Sequence, residues 1–272
     1  MSESQVARAY DAVAASYDEQ LAADEWVRRG LWAHYARVFQ PGQHILDVAC
    51  GTGSDSLFLA GQGMHVTGID VSGQMIALTR SKAEVHGLSA RIAVQVMDVS
   101  ELGRRPALLL RPGDDDPPFD GIISGFAGLN TLPKVRPFAS AAARLLKPDG
   151  HMIVHMLNRF SVWEWLSLLL HVRWRRAFRL GRQSERVFII GGLPVVHRLY
   201  WPRSAYAEFF APYFSLASAY SVGAFLPPES HVRIPASARR ILERMERRWS
   251  RAQPFLNCGR FFVLDMVRKA AV

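Results

Sequence analysis

Apolar residues recur at helical spacing through the first forty positions, at Val6, Tyr10, Val13 and Tyr17 and again at Trp26, Leu31, Tyr35 and Val38. That period predicts helices, closed by a turn at Pro41-Gly42. From position 44 the pattern becomes short apolar runs separated by amphipathic stretches. HILDVA (44–49) predicts a buried strand, followed by a glycine turn and a helix over about 54–60. HVTGID (65–70) predicts a second strand, after which Ser72 caps a helix reaching about His86. RIAVQVMD (91–98) predicts a third strand, and a polar, proline-rich connection (about 100–118) leads to a fourth, FDGIISG (119–125). A helix over about 132–146 ends at KPDG, and HMIVHML (151–157) predicts the fifth strand. Strands alternating with helices at this spacing predict an α/β fold built on a doubly wound, mostly parallel sheet with helices on both faces.

The rest of the chain departs from that regularity. Positions 160–180 read as one amphipathic helix with an arginine-rich end, and RVFIIGGLPVVHRLYW (186–201) as a hairpin around Gly191-Gly192. A helix over 204–211, a strand over 214–225, a basic helix over 236–249 and a last strand over 260–267 follow. The last two strands bring the sheet to seven, with one edge strand expected to run antiparallel. The organisation this implies is an N-terminal helical lid over 1–40 and a core over 41–272, with a substrate-covering insertion at about 158–200 and a second excursion at about 226–255.

Composition adds bounds. With 272 residues, 49% of them hydrophobic and 21% charged, the chain has ample material for a core. Its most apolar run, 160–172, contains Glu164 and is shorter than the ~20 residues a membrane span needs. The polar N-terminus lacks an apolar signal core, and Cys50 and Cys258 are too few and too distant for a disulfide framework or a metal cluster. These features predict a cytoplasmic protein. The net charge of +9 is almost wholly arginine, since lysine occurs only at Lys82, Lys134, Lys147 and Lys269. The excess gathers in 173–186 and 239–251, which points to local patches.

The chemistry concentrates at DVACGTG (47–53). A strand delivers the chain to a sharp turn where Gly51 and Gly53 allow close backbone approach, and the next helix presents free N–H groups. Asp70 ends the second strand, 19 residues beyond Gly51, where a carboxylate can accept ribose hydroxyls. Asp98 ends the third predicted strand, so three aspartates share the sheet edge at which open α/β folds bind ligands. Ser56 stands where a dinucleotide fingerprint needs its third glycine. Asp47, just before the turn, would repel a pyrophosphate and suit a ligand with a positive ammonium and sulfonium. The charge pattern thus favours S-adenosylmethionine over a nicotinamide cofactor.

DVACGTG, GIDVSGQMI (68–76), VMDVSEL (96–102), FDGIISGFAGLN (119–130) and LLKPDGHMIVHML (145–157) together resemble the successive motifs of class I S-adenosylmethionine-dependent methyltransferases. YDAVAASYD (10–18) is similar to the N-terminal helix of small-molecule members, including those of quinone biosynthesis and natural-product tailoring. The resemblance covers roughly residues 10–157 and implies a Rossmann-like fold, binding of S-adenosyl-L-methionine with S-adenosyl-L-homocysteine as product, and methyl transfer to an O, N or C nucleophile of a small-molecule acceptor; the aromatic and aliphatic content of the insertion points to a bulky, apolar or lipid-like one. It also implies roles. Gly51 and Gly53 line the methionine moiety, with Ala49 where many members carry glycine, and Asp47 helps hold the amino group. Asp70 accepts the ribose hydroxyls, Val71 and Met75 pack on the adenine, Asp98 accepts from its N6 and the Val99 backbone faces the ring edge. Ser124, Gly125 and Phe126 lie where the fourth strand meets cofactor and substrate, and Tyr17 sits in the lid near the methionine carboxylate.

Other signals carry less. Asp116-Pro117-Pro118-Phe119 matches an amino-methylation motif by letters but precedes the fourth strand instead of ending it. His151, His155, His171, His197 and His231 lack metal-ligand spacing, so no metal is expected. His155, near the exit of the fifth strand, is the best-placed candidate catalytic base, against the alternative of a satisfied buried histidine. The arginines near 173–186, interleaved with Trp174 and Phe178, allow an RNA methyltransferase reading, although no nucleic-acid-binding module flanks the core. Trp163, Trp165, Leu166, Leu169 and Leu170 followed by Arg173, Arg175 and Arg176 also fit peripheral contact with an anionic membrane. A cofactor-binding protein of this fold without methyl transfer is the remaining alternative.

Overall fold

The computed structural model describes residues 3–104, 109, 119–228 and 234–270. Asp116–Pro118 of the discounted letter match, most of the proline-rich connection and His231 lie outside them.

Three helices open the chain, α1 (Glu3–Val13), α2 (Tyr17–Gln20) and α3 (Glu25–Val38). Alternation then follows the predicted order: β1 (His44–Val48), α4 (Ser54–Gly61), β2 (His65–Asp70), α5 (Gly73–Val85), β3 (Ile92–Val96), α6 (Val99–Arg104), β4 (Phe119–Ser124), α7 (Val135–Leu145) and β5 (Leu146–Leu157). The remaining elements are α8 (Val162–Leu170), α9 (Trp174–Ala177), β6 (Glu185–Ile190), β7 (Leu193–Arg198), α10 (Pro202–Ala205), β8 (Phe214–Val222), α11 (Ala236–Trp249) and β9 (Phe261–Arg268).

Seven strands form one sheet in the order β3-β2-β1-β4-β5-β9-β8. β1 pairs in parallel with β2 on one side and β4 on the other, so the strand order reverses there. A crevice opens at the carboxyl ends of strands at such a reversal, where open α/β sheets bind their ligands. Because both faces of β1 are covered, its side chains alternate between two cores. Leu46 and Val48 pack with Ile122, Phe138 and Met152 on one face; Ile45 packs with Leu31, Tyr35, Leu59 and Ile153 on the other.

Local signals explain several boundaries. The Ser72 hydroxyl accepts the Met75 N–H at 3.1 Å, the expected cap of α5. Gly191 and Gly192 have φ of 56° and 76°, the positive pair that a two-residue hairpin needs between β6 and β7. A Cβ on Gly191 would lie 2.6 Å from the Ala9 carbonyl oxygen, so this glycine also lets the hairpin tip dock on α1.

Four expectations need correcting. The antiparallel member of the sheet is β9, and it lies one place inside the edge strand β8. β5 begins at Leu146, so KPDG belongs to the strand, with a register shift against β4 and Asp149 at a φ of 61°. The 160–180 helix is two helices, broken where Val172 takes a φ of 57°. The helix expected over 204–211 is α10 followed by a π-helical turn, Tyr206–Phe210. Among the described residues no helix is long and apolar enough to cross a membrane.

Candidate functional site

The turn after β1 is built around Asp70. Its Oδ2 accepts the Gly51 N–H at 2.9 Å and its Oδ1 accepts the Ser72 N–H at 2.9 Å. The carboxylate at the end of β2 therefore clamps the glycine turn after β1 to the start of α5. Burial pushes the Asp70 pKa up, opposed by those two N–H groups. Gly53, at a φ of 78°, faces α5; a Cβ there would meet the Thr79 Cγ2 at 2.4 Å. The Thr79 hydroxyl donates to the Gly51 carbonyl at 2.9 Å, so α5 holds the turn from below.

The N-terminal helices close over this turn. The Ser72 hydroxyl and the Gln74 N–H donate to Asp11 Oδ1, at 2.5 and 3.0 Å. Further on, the Thr52 hydroxyl donates to Asp18 Oδ1 at 2.6 Å, and Lys82 reaches both Asp18 Oδ2 and the Thr52 carbonyl. Tyr10 and Tyr17 meet edge to face at 6.1 Å between ring centres. Burial pushes the Tyr17 pKa up to about 12, so its phenol stays neutral and can donate.

Between lid and sheet edge lies a cavity of about 450 Å³. Tyr17, Ala49, Gly51, Asp70, Val71, Met75, Asp98, Val99, Gly125 and Phe126 all line it. Asp98 stands two residues past the end of β3 and not within it, where its Oδ1 accepts the Ser100 N–H at 2.6 Å and starts α6. The far wall comes from Val6 and Tyr10 of α1, Thr131, Leu132 and Pro133 before α7, and Glu185, Val196 and Arg198 of the hairpin. Arg198 donates to the Leu132 carbonyl at 3.0 Å and pairs with Glu185 at 3.4 Å, which ties the hairpin to the loop after β4.

Asp47, Gly53, Ser124 and His155 stand outside these walls. Asp47 is buried, accepts the Ser56 hydroxyl at 2.6 Å, and is pushed up to about 8 by burial and then by the neighbouring Asp55 charge. Both causes favour the protonated carboxyl over the ionised one. Ser124 is buried with no partner for its hydroxyl among the described residues. His155 is also buried. Its Nδ1 accepts the Phe126 N–H at 3.1 Å and its carbonyl accepts the Ala127 N–H at 3.0 Å. Burial, then the Arg260 and Arg28 charges, push its pKa down to about 3. With Nδ1 accepting, the ring proton sits on Nε2, which is buried without a partner among the described residues, and the ring supports the loop after β4.

That loop is strained. Phe126 and Ala127 take φ values of 43° and 64°, a region that costs residues with a Cβ roughly 1–2 kcal/mol each. Phe126 is held between His155 and Arg28, whose guanidinium lies 4.3 Å over its ring. Arg28 and the Trp32 indole both donate to Asp55 Oδ1, at 3.1 and 2.8 Å. These supports come from α3 and carry no motif, whereas Tyr10 and Asp11 fall within a stretch the sequence singled out.

Residues 45–150 match the family model described as a methyltransferase domain. The ubiquinone biosynthesis O-methyltransferase of Xylella fastidiosa strain 9a5c is 36% identical over 126 residues, 45% of each chain. The demethylmenaquinone methyltransferase of Symbiobacterium thermophilum is 32% identical over 160 residues, 56% of this chain and 58% of its own. The aligned part thus spans about half the length of these curated relatives. Among solved structures, a putative S-adenosylmethionine-dependent methyltransferase from Listeria monocytogenes superposes with a TM-score of 0.58 at 13% identity, over 88% of this chain and 96% of its own, a likeness of fold.

Proposed function

We propose that residues 45–150, which match a methyltransferase domain, form a class I S-adenosylmethionine-dependent methyltransferase domain, and that the chain transfers the sulfonium methyl group to an O, N or C nucleophile of a small, apolar, quinone-like acceptor. The observation that carries the cofactor half is Asp70. It is a buried carboxylate with both oxygens already oriented by backbone N–H groups, at the wall of a cavity large enough for a nucleoside. An oriented carboxylate can accept two vicinal hydroxyls without reorganising. Val71, Met75 and Val99 offer apolar surface for a base, and Asp98 a second acceptor near its edge. Ala49, Gly51 and Tyr17 remain for the methionine end.

When bound, S-adenosylmethionine supplies an electrophilic methyl on a positive sulfur. The chain's own part is to hold, align and dry the reactants. The lid helices and hairpin close the cavity on the side away from the sheet, and Phe126 is fixed at its edge by Arg28 over its ring and His155 edge to face with it. Alignment of a nucleophile in such a site supplies much of the rate without a strong base. The acceptor half rests on the apolar part of the far wall, Val6, Leu132, Pro133 and Val196 beside the paired Glu185 and Arg198, and on the quinone-type acceptors named in the relatives' descriptions.

Calorimetric titration with S-adenosylhomocysteine and with NAD, on the wild type and an Asp70→Ala variant, tests the premise. Binding of S-adenosylhomocysteine alone, weakened at least roughly tenfold in the variant, is expected, since a hydrogen bond to a charged group contributes about 1.5–3 kcal/mol. Preference for NAD would overturn the cofactor, and binding without turnover on hydroxylated quinone precursors would overturn the acceptor.

A further inference from the structure

We propose that the α8–α9 excursion is a docking surface for an anionic lipid bilayer. Between Glu164 and Glu185 the chain carries five arginines, at 173, 175, 176, 179 and 182, and no acidic residue. Among the described residues none of the five is ion-paired; the Glu164 carboxylate is taken by Arg186 at 3.0 Å. In the same stretch Leu170 is 81% exposed, Val172 70%, Trp174 50% and Phe178 67%. α9 is anchored by Ala177 alone, which is buried, so its other side chains point to solvent. Val172 stands at the break between the helices with a φ of 57°, an unfavourable conformation for a β-branched residue. The chain accepts that strain while leaving the side chain in water.

Large apolar side chains set among guanidiniums without a carboxylate partner match the composition of an interfacial element. The apolar groups enter the headgroup boundary and the arginines stay at the phosphate level. A nucleic acid would use the arginines and stack bases on Trp174 and Phe178. It has no use for Leu170 and Val172, the two most exposed aliphatic residues of the stretch, which favours lipid. The position reinforces this. The excursion runs directly into β6, and the hairpin that it enters supplies Glu185, Val196 and Arg198 to the cavity wall. Docking there would set the far wall of the cavity beside the bilayer. The docking itself requires neither cofactor nor acceptor, so it stands or falls separately from the reading of the reaction.

A second basic stripe, Ile241, Met245 and Trp249 beside Arg240, Arg244 and Arg248 on α11, provides the internal control. The experiment is co-sedimentation of the full chain, without cofactor, with vesicles of phosphatidylcholine alone and of phosphatidylcholine mixed with phosphatidylglycerol. Binding to the anionic vesicles is expected at about 0.1 M salt and should fall steeply at about 0.5 M, where exposed charges are screened within several ångströms. Leu170→Asp/Trp174→Asp should weaken it at least roughly tenfold, while Ile241→Asp/Trp249→Asp leaves it unchanged. The altered side chains are exposed, and circular dichroism confirms that each variant is folded. Failure to bind anionic vesicles, loss only in the α11 variant, or tighter binding to single-stranded RNA that Leu170→Asp leaves intact would each overturn the proposal.

Discussion

The Phe126 N–H donates to Nδ1 of His155 at 3.1 Å, so the imidazole is an acceptor fixed in one tautomer. Its pKa of about 3 lies below the ordinary 6.5, first through burial and then through the Arg260 and Arg28 charges. The unfolded chain therefore binds the proton more readily than the native protein. The stability that this group confers is complete above about pH 6.5 and is lost as pH falls toward 3, at up to about 1.4 kcal/mol per pH unit.

A His155→Asn variant, whose side-chain oxygen can still accept an N–H, should melt with a weaker pH dependence across that window. His155→Leu leaves the Phe126 N–H unpaired and should cost about 1–3 kcal/mol. Thermal melts from neutral pH downward measure both. A turnover profile whose acidic limb disappears in His155→Asn would identify the residue as a catalytic base.

Local chemistry was legible in the sequence where a few neighbouring residues decide the outcome. β2 falls on HVTGID, Ser72 caps α5, the hairpin turns on Gly191-Gly192, and α11 spans 236–249, all as the pattern predicts. What escaped was non-local or conformationally unusual. A left-handed Val172 leaves no trace in a hydrophobic period, and the place of β9 inside β8 depends on pairings between distant segments. In the site, the residues on the turns after β1 and β2 were readable because strand ends and glycines announce them. The insertion was expected to cover the site, but its individual wall residues were not readable, because Glu185, Val196 and Arg198 reach the cavity only through the docking of the hairpin on α1 and on the Leu132 carbonyl. The burial of His155 was not readable either, because distance from solvent is a property of the packed sheet.

Asp18 joins the lid to the glycine turn through Thr52 and to α5 through Lys82. Both partners lie outside the cavity walls, so the latch governs how the lid opens more than what the cavity holds. Asp18→Ala should raise the dissociation rate of S-adenosylhomocysteine several-fold and change its association rate less, with little loss of stability, since half-exposed ion pairs contribute about 1 kcal/mol or less. Stopped-flow displacement measures the two rates. Equal changes in both would mean that the lid is not latched there.

Asp47 carries the last prediction, which joins folding to cofactor charge. Burial, then the Asp55 charge, hold it near 8 against an ordinary 3.8, so the native protein binds its proton more tightly than the unfolded chain does. That contribution is complete below about pH 4 and is lost as pH rises toward 8, by about 1.4 kcal/mol per unit at most. Asp47→Asn, which mimics the protonated form, should therefore gain on the wild type as pH rises from about 6 to 8. A cationic ligand in the neighbouring cavity favours the ionised carboxylate, so S-adenosylmethionine should release part of a proton at neutral pH, and S-adenosylhomocysteine, without the sulfonium, less. Calorimetry in buffers of different ionisation enthalpy reads that release directly, and it should vanish in Asp47→Asn. Equal release with both ligands would mean that the sulfonium charge does not reach Asp47, and would leave the ammonium that the two ligands share as the group that the carboxylate senses.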